Sequence, residues 1–325
     1  MIGFVRLLTV LLFLISFSTA QGADKIVADF GGLSGFQSAS WVAKDLGLFE
    51  KHGLDVNLVM ITGGARSMAA LLGGGTQFAT GSATAPLLAA ARGSDAVIIA
   101  ASYNKFPAAI VVKSDIRSPK DLRGKRLGIL NFGGSHDLGM QLAFKEWGMK
   151  QNEVNVMIGG DAPTRLLALT TGRIDATLLS PPHLTKAVKA GFRVLADMGE
   201  MRGNFSQSTV YIRRSYLREN RDAVKRFLKA YAEAVHVIKT DRERTVKVFA
   251  KRMRLDDQEI LNATYDYYAP RFSFPPRVNT NGIKDTLDFY AETNPEVKGR
   301  SPQEFIDHSV LDELEKEGFF KTFGS

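Results

Sequence analysis

The sequence predicts an α/β protein built on two mostly parallel sheets, each flanked by helices. Short strand-like runs alternate with helical patterns from residue 26 to residue 213, an order typical of parallel sheets with crossover helices. Clusters of small residues follow many of these runs, as in GGLSGFQ, TGSATAP and NFGGSH. Ten strands exceed the usual size of one sheet, so two sheets of about five strands each fit better.

The predicted strands are short, and the small-residue clusters stand at their carboxyl ends. In open α/β sheets, ligands bind at that edge, so we expect the functional site there. The predicted strands are residues 26–30, 56–60, 77–80, 97–102, 109–113, 126–130, 155–159, 175–179, 192–196 and 209–213.

Helices are predicted between these strands and throughout the C-terminal third. Those between strands include 39–46, 68–72, 137–147 and 163–171. After Thr209, apolar residues recur every three or four positions and predict one long amphipathic helix. Ser301-Pro302-Gln303-Glu304 is a capping box with proline at the first helical position, which predicts the start of the last helix. The apolar face of the long helix comprises Val224, Phe227, Leu228, Tyr231, Val235 and Ile238.

The N-terminal segment has the pattern of a secretory signal peptide. Arg6 precedes an apolar run from Leu7 to Phe17, and Ser18-Thr19-Ala20 forms a small-x-small cleavage site. The run is too short for a stop-transfer helix. We therefore predict a signal peptide over residues 1–20, cleavage after Ala20 and a periplasmic protein.

Composition narrows the classes of function. The chain has 42 Lys+Arg against 34 Asp+Glu, a formal net charge of +8, but the basic residues are scattered. We expect no nucleic-acid partner, and the basic balance weakly favours an anionic ligand. The chain has no cysteine, so we expect no lipid anchor, disulfide or thiol catalysis. No later segment is long and apolar enough for stable membrane insertion.

The stretch NFGGSHDLG places Ser135, His136 and Asp137 side by side behind two glycines. Consecutive residues at a helix start point about 100° apart, so these three cannot form a hydrogen-bonded catalytic series. We interpret Ser135 as a helix N-cap, with glycines that let the backbone approach a ligand. The free N–H groups there favour an anion or a carbonyl oxygen.

No other pattern indicates catalysis or a bound cofactor. The five histidines lie far apart and lack metal-ligand spacing. A phosphate-binding loop, a dinucleotide fingerprint and a nucleophile elbow are all missing from the sequence. We therefore predict no catalytic residue, no metal and no cofactor.

Three segments together resemble a known family. SASWVAKDLGLFEKHGLDVNLV resembles its first helix and second strand. SPKDLRGKRLGILNFGGSHDLGMQLAFKEWGM and ALTTGRIDATLLSPPHLTKAVKAGFRVLAD resemble its second lobe. The similarity runs through residues 25–240 and is specific by the order of its segments. The family is the NMT1/THI5-like group of periplasmic solute-binding proteins, which includes sulfonate, taurine and thiamine-precursor binders.

The resemblance implies a type II periplasmic binding protein fold, in which two lobes close on a ligand like a hinge. It implies two crossings between lobes, near Tyr103–Pro107 and Gly203–Ser208. Lobe 1 would comprise residues 21–105 and 207–325, and lobe 2 residues 106–206. The implied partners are a small-molecule ligand and the permease and ATPase subunits of an ABC importer. We expect a monomer.

Family ligand contacts fall on the strand-end loops, and the resemblance transfers them to matching positions here. Ser180-Pro181-Pro182 departs from the polar or aromatic residue that sulfonate binders tend to carry there, which leaves the ligand open among sulfonates, carboxylates, pyrimidines and aromatic acids. The predicted ligand-binding residues are Ser34, Gly35, Phe36, Gln37, Gly63, Gly64, Ser82, Ala83, Thr84, Tyr103, Phe132, Gly134, Ser135, His136, Asp161, Thr164 and Ser180.

The main hypothesis is a receptor that captures a small anionic or aromatic molecule between the lobes. Two alternatives share the fold. A ligand-sensing partner of a membrane receptor cannot be separated from an uptake receptor by sequence. The second alternative is an enzyme that makes the thiamine pyrimidine. The related fungal enzymes carry a cysteine-rich motif, and this chain has no cysteine.

Overall fold

The computed structural model describes residues 23–201 and 204–324. The predicted signal peptide, its cleavage site and Gly203 lie outside the described residues. Ten strands are present in this part of the chain, one at each predicted position. They are β1 Asp24–Phe30, β2 Leu54–Met60, β3 Phe78–Gly81, β4 Ala96–Tyr103, β5 Ala109–Val112, β6 Arg126–Ile129, β7 Asn155–Ile158, β8 Ala176–Leu179, β9 Arg193–Asp197 and β10 Gln207–Arg213.

The strands form two five-stranded sheets, as the sequence predicts. The first sheet has the order β2-β1-β3-β10-β4, and the second sheet has the order β7-β6-β8-β5-β9. In the first sheet only β10 runs antiparallel to its neighbours, and in the second only β5 does. Each of these is the first strand after the chain changes sheet. The chain changes sheet between Tyr103 and Ala109 and returns between Asp197 and Gln207.

Helices cover both sheets. The α-helices in the described part of the chain are α1 Ser38–Asp45, α2 Leu48–Lys51, α3 Gly64–Leu72, α4 Thr84–Ala91, α5 Ser135–Glu146, α6 Ala162–Thr170, α7 His183–Lys189, α8 Arg214–Glu219, α9 Arg221–Thr240, α10 Arg242–Met253, α11 Gln258–Tyr268, α12 Thr280–Tyr290 and α13 Ser309–Lys316. Among the described residues, no helix combines the length and apolar character that crossing a membrane requires.

The long helix α9 packs its apolar face into the core of the first sheet. All six residues predicted for that face are buried, and the Phe227 ring stacks on Phe78 with centroids 3.8 Å apart. The prediction for the last helix is wrong. Ser301 does form a capping box, but the box opens a 3₁₀ turn over Pro302–Phe305, and α13 begins later, at Ser309.

An ion-pair network centred on the buried Asp175 ties the second sheet together, and the side chains of its two partners, Lys113 and Arg126, are partly exposed. Asp175 Oδ1 accepts from Lys113 Nζ at 2.6 Å, and Asp175 Oδ2 accepts from Arg126 Nε at 2.9 Å and from the Arg126 backbone N–H at 3.0 Å. The hydrogen bond from the Arg126 side chain, with help from Lys113, holds the pKa of the Asp175 carboxyl far below its usual range. These contacts join the start of β8 to β5 and β6.

Asp175→Asn should lower the free energy of unfolding at pH 7 by about 2 kcal/mol, the order expected for hydrogen bonds to a charged group. A depressed native pKa stabilises the fold above the unfolded pKa of about 3.9, and this contribution is lost as pH falls. The deficit of the variant should therefore shrink from pH 5 towards pH 2. Urea melts across that range test this, with the exposed Asp115→Asn as control. A deficit of constant size would contradict it.

Candidate functional site

A cavity of about 590 Å³ lies between the carboxyl ends of the parallel strands of the two sheets. The first sheet contributes the loops after β1, β2 and β3, and the second sheet contributes those after β6, β7 and β8. Its volume is within the usual range for small-molecule sites. This is the edge at which the sequence predicts the functional site.

Most of the predicted ligand-binding residues line this cavity, and they come from both sheets. Three segments of the first sheet and three of the second meet there. The predicted residues that line it are Ser34, Phe36, Gln37, Gly63, Gly64, Ser82, Thr84, Phe132, Gly134, Ser135, His136, Asp161 and Ser180.

Four predicted residues do not line the cavity. A Cβ on Gly35 would lie 2.3 Å from the Tyr268 ring, so this glycine serves close packing. Tyr103 is fully buried, edge-on to Tyr268 and Phe272. Ala83 is buried in the core, and Thr164 donates its hydroxyl to Asp161, the N-cap of α6.

The turn before α5 corrects the predicted cap. The N-cap is Gly134, without a side-chain bond, and Ser135 is the first helical residue. Gly133 has φ 68°, and Asp137 accepts from the Gly133 N–H at 2.8 Å. One carboxylate oxygen of Asp137 is thus engaged with the backbone of the turn.

Arg165 on α6 is the main functional candidate that sequence reasoning missed. Its side chain lines the cavity although the residue is only 2% exposed. Nε donates to Thr177 Oγ1 at 3.1 Å, Nη2 to the Leu178 carbonyl at 3.2 Å, and Nη1 to the Gly160 carbonyl. These bonds use three of the five guanidinium N–H groups.

No carboxylate among the described residues lies within 4.0 Å of the Arg165 guanidinium. Burial lowers the pKa of Arg165 to about 10, partly offset by the charge of Asp161. At neutral pH it therefore remains a buried cation without a paired anion, a costly arrangement unless a ligand supplies one. The sequence carried one signal for this residue: Arg165 lies four positions before Leu169, and these two residues form the buried face of α6.

Two imidazoles lie close to this cation. His136 and His183 line the cavity, and the Nδ1 atom of each is buried without a hydrogen-bond partner among the described residues. Burial, followed by the charge of Arg165, lowers the pKa of His136 well below its ordinary value. Burial, with Lys186 and Arg165, lowers the pKa of His183 to about 4. Both rings are neutral at pH 7.

The charged residues around the cavity are mainly cations. Arg92, Arg165 and Lys186 line it, whereas Asp161 is the one acidic residue among the described lining residues. Asp161 caps α6 by accepting from Thr164, whose hydroxyl holds the pKa of that carboxyl below its usual range. The site therefore suits an anionic ligand group.

The opposite, first-sheet wall contains a buried polar cluster. Asp29 is fully buried and accepts from Ser67 Oγ at 2.8 Å, and Ser67 Oγ lies 2.7 Å from the Tyr211 hydroxyl. Burial raises the pKa of Asp29 to about 6. Ser67 and Tyr211 line the cavity, as does Gln207. Sequence reasoning missed all four, because the cluster forms only when β1, α3 and β10 meet.

No group of His, Cys, Asp and Glu suited to a metal ion is present among residues 23–201 and 204–324.

A cavity with a buried cation on one wall and buried acceptors on the other can bind and orient a small polar molecule.

Comparison with known proteins places the chain in a family. The NMT1/THI5-like family model matches residues 38–244. A putative binding protein of Brucella abortus is 29% identical over 71% of this chain and 70% of its own length. A putative aliphatic sulfonates-binding protein of Escherichia coli is 25% identical over 64% of this chain and 65% of its own length.

Solved structures share the fold. The periplasmic aliphatic sulphonate-binding protein of Escherichia coli superposes with a TM-score of 0.72 and 20% identity, over 89% of this chain and 99% of that one. The desulfurization enzyme DszB, in a cysteine-to-serine variant bound to biphenyl-2-sulfinic acid, superposes with a TM-score of 0.68 and 14% identity, over 91% and 99%. Since the family model covers more than half of its residues, the chain belongs to the NMT1/THI5-like family.

Proposed function

We propose that this protein is the periplasmic solute-binding receptor of an ABC importer and that it captures a small organic anion between its two lobes. The single observation that carries the anionic ligand is Arg165, a buried cation on the cavity wall without a paired carboxylate among the described residues. A sulfonate or carboxylate would accept from its remaining N–H groups. The binding proteins among its relatives support the receptor role.

Capture would proceed by closure of the lobes. We propose lobe 1 as residues 21–105 and 207–325 and lobe 2 as residues 106–206, with export directed by residues 1–20. A ligand that contacts both walls favours the closed state by its differential contacts. A permease and an ATPase of the importer would recognise that state, and the protein itself would act as a monomer.

We also propose that the protein is not an enzyme. The DszB structure carries a substitution of a cysteine, and this chain has no cysteine at any position. The alternative role of a sensor partner of a membrane receptor uses the same cavity, and association with a permease rather than a receptor would distinguish the two.

Organic anions should raise the melting temperature. At a hundredfold excess over Kd a ligand adds about 2.7 kcal/mol to the free energy of unfolding, which for a chain of this size corresponds to about 4–8 °C. A thermal-shift screen of sulfonates, carboxylates and aromatic acids tests this, with the matching neutral sulfonamides and amides as controls. If no anion shifts the melting temperature, or if the neutral controls shift it equally, the proposed function is wrong.

A further inference from the structure

The first-sheet wall of the cavity is built around a chain of hydroxyl groups that ends on a buried carboxylate. Thr76 Oγ1 donates to Asp29 Oδ2 at 3.3 Å, and Ser67 Oγ donates to Asp29 Oδ1 at 2.8 Å. The Tyr211 hydroxyl lies 2.7 Å from Ser67 Oγ. Asp29, Ser67 and Tyr211 are 0%, 3% and 1% exposed, so bulk water does not compete for these bonds.

The proton count fixes the direction of this chain. An ionised carboxylate only accepts, and each hydroxyl has one proton to donate. Asp29 is ionised at pH 7.5, above its pKa of about 6. The Ser67 hydroxyl therefore donates to Asp29, and the Tyr211 hydroxyl donates to Ser67. The oxygens of Ser67 and Tyr211 keep only lone pairs for a partner in the cavity.

Two glutamines on the same wall offer amide groups, which accept through Oε1 and donate through Nε2. Gln37 and Gln207 line the cavity and are 4% and 6% exposed. The Oε1 atom of each is buried without a hydrogen-bond partner among the described residues. A buried acceptor without a partner is costly, and a ligand that donates to it removes that cost. The oxygens of Ser67, Tyr211 and the two amides thus lack donors from the ligand, whereas Arg165 across the cavity lacks an acceptor.

Resting on the proposed function, we propose that the ligand is an organic anion with an N–H or O–H donor group at the end remote from its anionic group, and that Asp29 selects this donor through Ser67 and Tyr211. Arg165 takes the anionic end, and the acceptors of the first-sheet wall take the donor end. Asp29 acts here as a positioning residue, because it sets where the hydroxyl protons of the wall point and does not itself line the cavity.

The test uses alkanesulfonates of two to six carbons that end in an ammonium, a hydroxyl or a methoxy group. The ammonium and hydroxyl compounds can donate, whereas the methoxy compound can only accept. In calorimetric titrations of the whole mature protein at pH 7.5, the donor compounds should bind at least tenfold more tightly than the methoxy compound at the best chain length.

Asp29→Asn should cancel this preference. Its amide oxygen can still accept from Thr76, but its N–H group donates to Ser67. The Ser67 proton then turns to Tyr211, and the Tyr211 proton turns to the cavity. The donor-to-methoxy ratio should fall at least tenfold, while the variant unfolds at the same or a higher urea concentration, since it lacks a buried charge. A purely structural Asp29 would not give this pair of results.

Thr76→Val is the matched control, because Thr76 contacts the other oxygen of Asp29 and does not line the cavity; its ratio should equal that of the wild type. Tyr211→Phe provides a second variant if Asp29→Asn does not fold, and it too should lose the preference. Three results would overturn the inference and leave the proposed function standing. They are equal binding of all three end groups, an unchanged ratio in Asp29→Asn, and binding of other organic anions without binding of any donor compound. If no organic anion binds at all, the proposed function itself fails.

Discussion

Arg165→Gln should weaken the binding of organic anions about 100-fold and leave the free energy of unfolding unchanged or slightly higher. A hydrogen bond to a charged group contributes about 1.5–3 kcal/mol, and 2.7 kcal/mol corresponds to about a hundredfold in affinity. In the free protein the guanidinium is buried without a paired carboxylate among the described residues. Removing its charge therefore relieves a desolvation cost, which offsets the two bonds to the Gly160 and Leu178 carbonyls that the shorter glutamine does not make.

Calorimetric titration beside a urea melt measures both quantities. Arg165→Lys keeps the charge but not the planar pair of donors, so its affinity should fall between that of the wild type and that of the glutamine variant. Arg173→Gln removes an exposed arginine just after the same helix and should change neither quantity. Unchanged affinity in Arg165→Gln would show that the anion binds elsewhere in the cavity. A loss of stability that accompanies the loss of affinity would assign Arg165 a structural role.

The strands were predictable because their signal is local. Each of the ten strands is a short run bounded by turn residues, and both sheets consist mainly of parallel strands, so alternation along the chain reflects contact in space. The Ser301 capping box was recognised correctly as a local motif. Its position at a 3₁₀ turn was not predictable, because helix length depends on what the segment packs against.

The site was only partly predictable, because several of its contacts join distant parts of the chain. Ser67 contacts Asp29 across 38 residues and Tyr211 across 144 residues. Tyr103 stands at the end of β4, and residues at other strand ends do line the cavity. Its own ring is enclosed by Tyr268 and Phe272, which come from the C-terminal third of the chain. Strand-end loops can be found from the sequence, whereas the side chains that helices direct at those loops need the folded structure.

Ser135→Asp should abolish the binding of organic anions, with a loss of at least 100-fold, and should not lower the free energy of unfolding. Ser135 begins α5 and lines the cavity, and the first N–H groups of a helix have no partner within the helix. A carboxylate there suits the positive end of the helix dipole, which contributes about 0.3–1 kcal/mol in favour of folding. On the cavity side the same carboxylate would engage the free N–H groups and repel an incoming anion.

Ser135→Asn, which is neutral and of similar size, should retain affinity within about tenfold of the wild type, so the comparison isolates the charge. Calorimetry and chemical melts of the two variants measure both effects. If the turn only started the helix, Ser135→Asp would not lower the affinity while it preserved or raised the free energy of unfolding. If Ser135→Asp binds anions as tightly as the asparagine variant, the N-terminus of α5 takes no part in recognition, and the anionic group lies against Arg165 alone.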